Sequence, residues 1–195
     1  IVEGKLTAND PGEWSDWTYA ASCEDYRRPQ SKQYTYAGST GDGRYRIDPA
    51  NQSPIVVYCN MGTQNGGWTL AATLVNDKRR HWDTQKVFED GSTFGSIGNR
   101  RSRDYKSRAW STVSADDLMI VTKNYHFGFT GLFGDMTFAA HFKQNWPSSC
   151  HEDWIRSGAD FAQGLTTKQK KTYGFTYRGL DVNADSCFAK GNENT

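Results

Sequence analysis

Two groups of oxygen-bearing residues have the composition of a hard-cation site. Asn76-Asp77 is followed, past a long polar excursion, by Asp104. Further along, Asp181-Val182-Asn183-Ala184-Asp185 sets an oxygen ligand at every second residue. Calcium takes about 6–8 oxygen ligands in flexible geometry, and carboxylates and side-chain amides supply them. The second group resembles the start of a calcium loop. Ser186 nevertheless stands where such a loop carries glycine, and Asn192 where it carries a bidentate glutamate. Asp77, Asp104, Asp181, Asn183 and Asp185 are thus the candidate metal ligands and calcium the candidate ion, with a solvated turn as the alternative for each group.

Catalytic chemistry is not in view. The chain carries no GxSxG, P-loop, HExxH or GxGxxG pattern. His81, His126, His141 and His151 sit at no recognised ligand spacing. Cys150-His151-Glu152-Asp153 gathers a thiol, an imidazole and two carboxylates. Adjacent residues on a strand point to opposite faces, so thiol and base would diverge. A cystine beside a polar turn is the better reading, and the chain is not expected to be an enzyme.

Cys23, Cys59, Cys150 and Cys187 are an even, widely spaced set without a CxxC pair. That pattern suits disulfides and an oxidising compartment, with four free thiols in a cytosolic protein as the alternative. Closing the loop between Cys23 and Cys59 would contribute about 4 kcal/mol in the chain-entropy model. Asn51-Gln52-Ser53 is a glycosylation sequon, followed by Pro54, which lowers its expected use. Trp14-Ser15-Asp16-Trp17 matches the W-x-x-W pattern of C-mannosylation, with Trp14 as the candidate acceptor. Two packed aromatics are the plainer account of that pair.

These residues need a scaffold, and the composition narrows it. The chain has 195 residues, enough for one domain with a real core. The 23 Lys+Arg and 22 Asp+Glu leave a net charge of +1, which removes a whole-chain electrostatic case for nucleic acid or anionic membrane. No apolar run approaches the roughly 20 residues of a membrane helix. Aromatics make up 14%, too many for a disordered chain. Lys78-Arg79-Arg80, Arg100-Arg101-Ser102-Arg103 and Lys168-Gln169-Lys170-Lys171 are local basic clusters, read as solvated faces, with contacts to sulfated glycans or phosphate as the alternative.

Residues 1–22 read as a linker or docking segment. Tyr45-Arg46-Ile47 and Ile55-Val56-Val57-Tyr58-Cys59 read as strands around a break at 48–51. Asn65-Gly66-Gly67 turns into Trp68–Val75, an apolar run expected to be one central strand. Residues 76–110 read as a long structured loop excursion. Leu118–Val121 is a buried strand, and Tyr125–Phe142, alternating aromatics with glycine, reads as further strands and turns. Ser157-Gly158-Ala159-Asp160 is expected to start a short helix, and Tyr173–Arg178 to be a last strand. The class is α+β, predominantly β with long loops.

Three ordered motifs then carry a resemblance. Gly43-Arg44-Tyr45-Arg46-Ile47-Asp48-Pro49, Pro54-Ile55-Val56-Val57-Tyr58-Cys59-Asn60-Met61 and Gly66-Gly67-Trp68-Thr69-Leu70 resemble the G-x-Y-x-I-x-P, V-x-C-x-M and G-G-W-T motifs that open a fibrinogen-like domain. Cys23 stands where that family has its first half-cystine. Thr93-Phe94-Gly95-Ser96, Asp104-Tyr105-Lys106 and Ala115-Asp116-Asp117-Leu118 resemble the T-F-G-S, D-D-Y-K and A-x-D-L segments of the intelectins, or X-type lectins. The resemblance covers residues 20–121 well and 122–195 loosely. Cys150 sits where intelectins place a half-cystine.

The resemblance implies a disulfide-stabilised fibrinogen-like domain over residues 23–195. It implies a secreted, calcium-dependent lectin that binds microbial or cell-surface glycans through exocyclic vicinal diols, with protein partners and homo-oligomers also open. Asp77 and Asp104 match family calcium ligands. The family's His-Glu-Asn-Asp is here Leu74-Val75-Asn76-Asp77, and basic residues near Arg79 and Arg80 replace its downstream Gly-Asp pair. Fewer hard oxygens and added positive charge weaken calcium there. Asn194-Thr195 matches the first letters of the family's N-T-E-H-H-C sugar-site motif, which makes Asn194 the candidate carbohydrate contact. Alternatively, Asp181-Asn183-Asp185 before Cys187 resembles the calcium loop of fibrinogen-like domains. Either way the expectation is a C-terminally incomplete domain, with Cys187 pairing with Cys150 or with a cysteine beyond the sequence. The rival reading is an adhesion or assembly module that kept the fold and lost the sugar site.

Overall fold

The structure, a computed structural model, describes residues 4–7, 11–36, 41–49, 51, 53–75, 82, 85–145, 154–157, 159–168 and 174–176. Its elements follow in chain order. They begin with β1 (Gly4–Lys5), α1 (Cys23–Arg27), β2 (Tyr34–Thr35), β3 (Gly43–Ile47) and β4 (Ile55–Asn60). A 3-10 turn at Thr63–Asn65 leads to β5 (Trp68–Thr69), β6 (Ala72–Thr73) and α2 (Gln85–Glu89). A second 3-10 turn at Ile97–Asn99 precedes β7 (Tyr105–Lys106), α3 (Ala109–Thr112), β8 (Leu118–Val121) and β9 (His126–Phe129). The chain then forms α4 (Phe138–Asn145), β10 (Trp154–Ser157), β11 (Phe161–Gln163) and β12 (Gly174–Thr176).

Strand alternation builds the first sheet, ordered β3-β4-β5. Tyr45 and Ile47 on β3 and Val57 and Cys59 on β4 face inward, and their neighbours face out. The free edge of β3 is covered by the N-terminal segment. Gly12 and Ala20 bridge in parallel to Tyr45 and Ile47, so the unpaired edge groups find partners. Leu6, Trp14 and Ala20 belong to the core beneath, with Cys23, Tyr26, Met61, Ala109 and Val113. Cys23 and Cys59 are joined by a disulfide with their Cα atoms 5.6 Å apart.

The second sheet is ordered β11-β9-β8 and is antiparallel throughout. Leu118, Phe127 and Phe129 turn one face into a second core of Trp82, Phe88, Trp110, Phe133, Ala139, Phe142 and Ala159. Short helices lie on it. Five residues cannot sustain a helix unaided, and α2 is held from outside. Its C-terminal carbonyls would be orphaned, but the Trp110 indole N–H donates to Phe88 O at 2.9 Å. Lys106 Nζ donates to Val87 O, and to Asp90 O at 2.9 Å. Three two-stranded pairs complete the described residues: parallel β1-β2, and antiparallel β6-β7 and β10-β12.

The β-rich α+β class and the strands at 45–47, 55–59 and 118–121 agree with the sequence expectations. Three expectations are overturned. Trp68–Val75 is not one central strand, because its ladder changes partner from β4 to β7 between Thr69 and Ala72, and all eight residues are only half-buried. Residues 138–145 are helical rather than extended. The Thr137 hydroxyl accepts from the Ala140 N–H at 3.2 Å, capping α4, while Phe138, Ala139 and Phe142 turn toward the second core. No helix starts at Ser157, which ends β10. Asp160 instead accepts from the Thr130 N–H at 2.7 Å and the Thr130 hydroxyl at 3.1 Å, and the chain enters β11. The excursion at 76–110 also holds α2, a 3-10 turn and β7 among its described residues.

Candidate functional site

The motif residues of the long excursion converge on the pair β6-β7. Phe94 and Lys106 exchange both backbone hydrogen bonds, at 3.3 and 3.0 Å, which brings Thr93–Ser96 alongside Asp104–Lys106. Gly95 has φ +74° in this bridge, and a Cβ there would collide with the Asp104 carbonyl oxygen. Glycine is therefore required where the two segments cross. Asp104 is 2% exposed, and its Oδ1 accepts from the Val75 N–H at 2.8 Å. A buried carboxylate thus fixes the end of β6 against the start of β7, at the point from which the chain runs on to residues 76 and 77.

One residue further, Lys106 is 1% exposed. Its ammonium also donates to Asp90 Oδ1 at 3.0 Å and lies 5.6 Å from the Trp110 ring centre. Burial pulls the Lys106 ammonium below its ordinary range, and hydrogen bonding and charge from Asp90 partly restore it. For Asp90, burial works upward, but hydrogen bonds from Ser92 and Lys106 together outweigh it and hold the carboxyl low. No spacing rule singles out Lys106. The one available signal is a lysine next to two residues of a buried motif, in a segment otherwise read as loop.

The remaining predicted residues lie apart from this junction. Asn51 is exposed, at the corner between β3 and β4, with φ +49°. Trp14 is 3% exposed, stacked on Tyr34 at 4.6 Å and tilted against Tyr26 at 4.8 Å. The other tryptophan of the pair, Trp17, is 69% exposed at φ +65°, at the tip of a turn that closes through Trp17 N–H to Trp14 O at 3.1 Å. Asp77, Asp181, Asn183, Asp185, Asn194, Cys150 and Cys187 lie outside the described residues. Among the described residues, no three His, Cys, Asp or Glu side chains gather as a metal site. Asp104 alone does not make a calcium site, although a buried carboxylate fits the role of one ligand.

Sequence reasoning passed over a second convergence. The loop after β4 runs through four consecutive residues with positive φ: Gln64 (+45°), Asn65 (+70°), Gly66 (+73°) and Gly67 (+88°). Asn60 Oδ1 accepts from the Gly62 and Thr63 N–H groups, and the Trp68 indole N–H donates to Thr63 O at 2.9 Å. Arg28 donates to the carbonyls of Asn65 and Gly66 at 2.8 and 3.1 Å while paired to Glu24. The amide nitrogen of Gln64 then lies 3.3 Å from Nε2 of His126 on β9. A glycine pair after asparagine signals the turn, but not what the preceding glutamine meets.

Compared with known families, residues 27–126 match the model of the C-terminal globular domain of fibrinogen beta and gamma chains. The match covers residues from α1 to β9 and includes the disulfide partner Cys59, the Asp104 junction and the left-handed loop.

Proposed function

Because the chain belongs to the family of fibrinogen C-terminal globular domains, we propose that it is an extracellular recognition module that binds carbohydrate, in the manner of the intelectin branch. Domains of this family are in general non-enzymatic binding modules and typically extracellular. The Cys23–Cys59 bridge suits that setting. The observation that carries the finer reading is the junction at β7. The segments resembling intelectin motifs, Thr93–Ser96 and Asp104–Lys106, form one bonded unit in which Gly95, Asp104 and Lys106 each have a steric or electrostatic reason.

Calcium belongs to the same proposal. Asp104 would serve with Asp77, and Asp181, Asn183 and Asp185 would serve as a second set. Calcium held by these residues would supply coordination positions that sugar hydroxyls, as oxygen ligands, could fill. The chain's own contribution is to hold Asp104 rigid through Val75. The test is glycan-array binding of the full chain with and without EDTA. A signal lost in EDTA is the expected result, and no glycan signal in either condition overturns the proposal.

Trp17 motivates a second reading, a protein-assembly module. A large indole held in water at positive φ, with Asp16 bonded to Thr18 and Tyr34 to fix the turn, has the character of an interface anchor. That reading expects an unchanged melting temperature on adding calcium. A calcium-induced rise counts against it, since a ligand of the native state stabilises that state.

A further inference from the structure

We infer that the outer face of the sheet β11-β9-β8, where the left-handed loop meets it, is a second carbohydrate site that takes a pyranose ring without calcium. It deepens the carbohydrate reading above and rests on it, but uses none of the candidate metal ligands.

Strand register places the side chains. His126 pairs with Gln163 on β11 and with Val121 on β8, while Gly128 pairs with Phe161 and Met119. Directly paired residues share a face. Since Phe127, Phe129, Leu118 and Ala162 turn to the second core, His126, Gln163, Phe161 and Val121 occupy the other face. Val121 is 60% exposed there, so the face is open at that end. Gln64 reaches His126 in the same row, and one register step along, on β11, Trp68 packs on Phe161 with ring centres 5.7 Å apart. Phe161 can lie over the strand because residue 128 is glycine, where a Cβ would meet the Phe161 ring. Gln64 and Gln163 are exposed, and His126, Trp68 and Phe161 are half-buried.

Three elements therefore bring an amide, an imidazole and a second amide into one row beside an aromatic pair. Side-chain amides offer donors and an acceptor, and the imidazole adds its ring nitrogens, the partners a hydroxyl needs. The rings offer a flat apolar surface for the C–H face of a sugar. The row itself carries no carboxylate, ammonium or guanidinium; beside it, Lys123 lies in the β8–β9 turn, Asp160 is bonded to Thr130, and Arg28 is bonded to Glu24 and to the loop carbonyls. A charged ligand would lose hydration there without charge-assisted bonds in return. A neutral hydroxylated ring loses less. The anchors of the loop, from Asn60, Trp68 and Arg28, fix the Gln64 backbone in advance and lower the ordering cost of binding.

The test is a titration of the full chain in EDTA, read by amide and indole NMR signals. The probes are methyl α-mannopyranoside, methyl β-galactopyranoside and N-acetylglucosamine, with glycerol as the acyclic diol and a neutral peptide as controls. At least one pyranoside is expected to shift the side-chain amides of Gln64 and Gln163 and the Trp68 indole, and glycerol is not. Gln64→Ala and Gln163→Ala should each weaken that response about fivefold, the loss of one neutral hydrogen bond, with near-ultraviolet circular dichroism unchanged. No pyranoside shift in EDTA overturns the inference, as does a shift that survives both substitutions or one produced only by the peptide. Calcium-dependent array binding without these shifts leaves the proposed function standing and removes this site. Shifts in EDTA without calcium-dependent binding remove the calcium reading and keep the site.

Discussion

The two cores hold a loop-rich chain by different means. The first, under β3-β4-β5, is tied by a covalent bond between residues 36 apart in sequence. Its phenols find backbone acceptors: Tyr26 donates to Arg46 O at 2.5 Å and Tyr45 to Gly41 O at 2.6 Å. The second has no cross-link among the described residues and packs ring on ring. Trp82 touches Phe88, Phe94 and Trp110 at 5.0–5.5 Å between centres, and Trp110 stacks on Phe138 and Phe142 at 4.6 and 5.7 Å. It also encloses more polarity at its margin, with Lys106, His141 and the Trp82 indole N–H, which has no hydrogen-bond partner among the described residues. One region limits the freedom of the unfolded chain, and the other relies on contacts that exist only when folded.

That contrast can be broken by mutation. Trp110→Ala removes the ring that meets Trp82, Phe88, Phe138 and Phe142, and the bond to Phe88 O. It should cost about 5 kcal/mol by denaturant unfolding, with the slope of free energy against denaturant unchanged. A cost near 1 kcal/mol would mean the rings are not closely packed. Joint Cys23→Ser and Cys59→Ser should cost about 4 kcal/mol. Here the slope should rise, because the unfolded chain exposes more surface once the link is gone. An unchanged slope would place the effect of the bridge in the native state instead. Lys106→Met keeps the stem and removes three donated bonds, leaving the carbonyls of Val87 and Asp90 without their donor. The expected cost is about 2 kcal/mol, with hydrogen exchange accelerated in α2 before the rest of the second core. Uniform acceleration would refute a local role.

The smallest effects at neutral pH separate the cores by titration. Burial pushes the His141 imidazole below its usual 6.5. The unfolded chain then binds the proton more readily, so stability is lost as pH falls below 6.5. His141→Leu should flatten that acid limb in thermal melts. Burial pushes the Tyr26 phenol far above its usual 10.0. Its contribution is complete below 10.0 and is lost above it, so Tyr26→Phe should flatten the alkaline limb. Tyr105, also raised by burial, adds to that limb, so flattening should be partial. If His141→Leu instead leaves the acid limb unchanged, the acid sensitivity arises elsewhere.

How much of this was readable beforehand follows the range of the interactions. Tyr45, Ile47, Val57 and Cys59 alternate in sequence and all face inward, so β3 and β4 were legible from period alone. The run Trp68–Val75 was not, since eight similar residues do not reveal a ladder that passes from β4 to β7. In α4, the aromatic and glycine pattern upstream suggested extension, and the helix is favoured by the Thr137 cap and by packing of Phe138 and Phe142 against Trp110. Asp104 was legible because a carboxylate beside a known motif draws attention. Lys106 was not, because its partners, two carbonyls and the Asp90 carboxylate, lie 16 and 19 residues earlier. Gln64 and His126 are 62 residues apart, and their meeting depends on how the two sheets are set, which no local pattern encodes.

The disulfide reaches further than the core it closes. Cys23 is the first residue of α1, and its N–H donates to the Thr69 hydroxyl at 3.1 Å. Just past the last turn of that helix, Arg28 grips the carbonyls of Asn65 and Gly66. Covalent bond, short rod and guanidinium fork make a mechanical linkage from an internal sulfur pair to a surface loop. A bond sealed inside the first core is in this way tied, through one short helix, to an exposed loop that itself contains no cysteine.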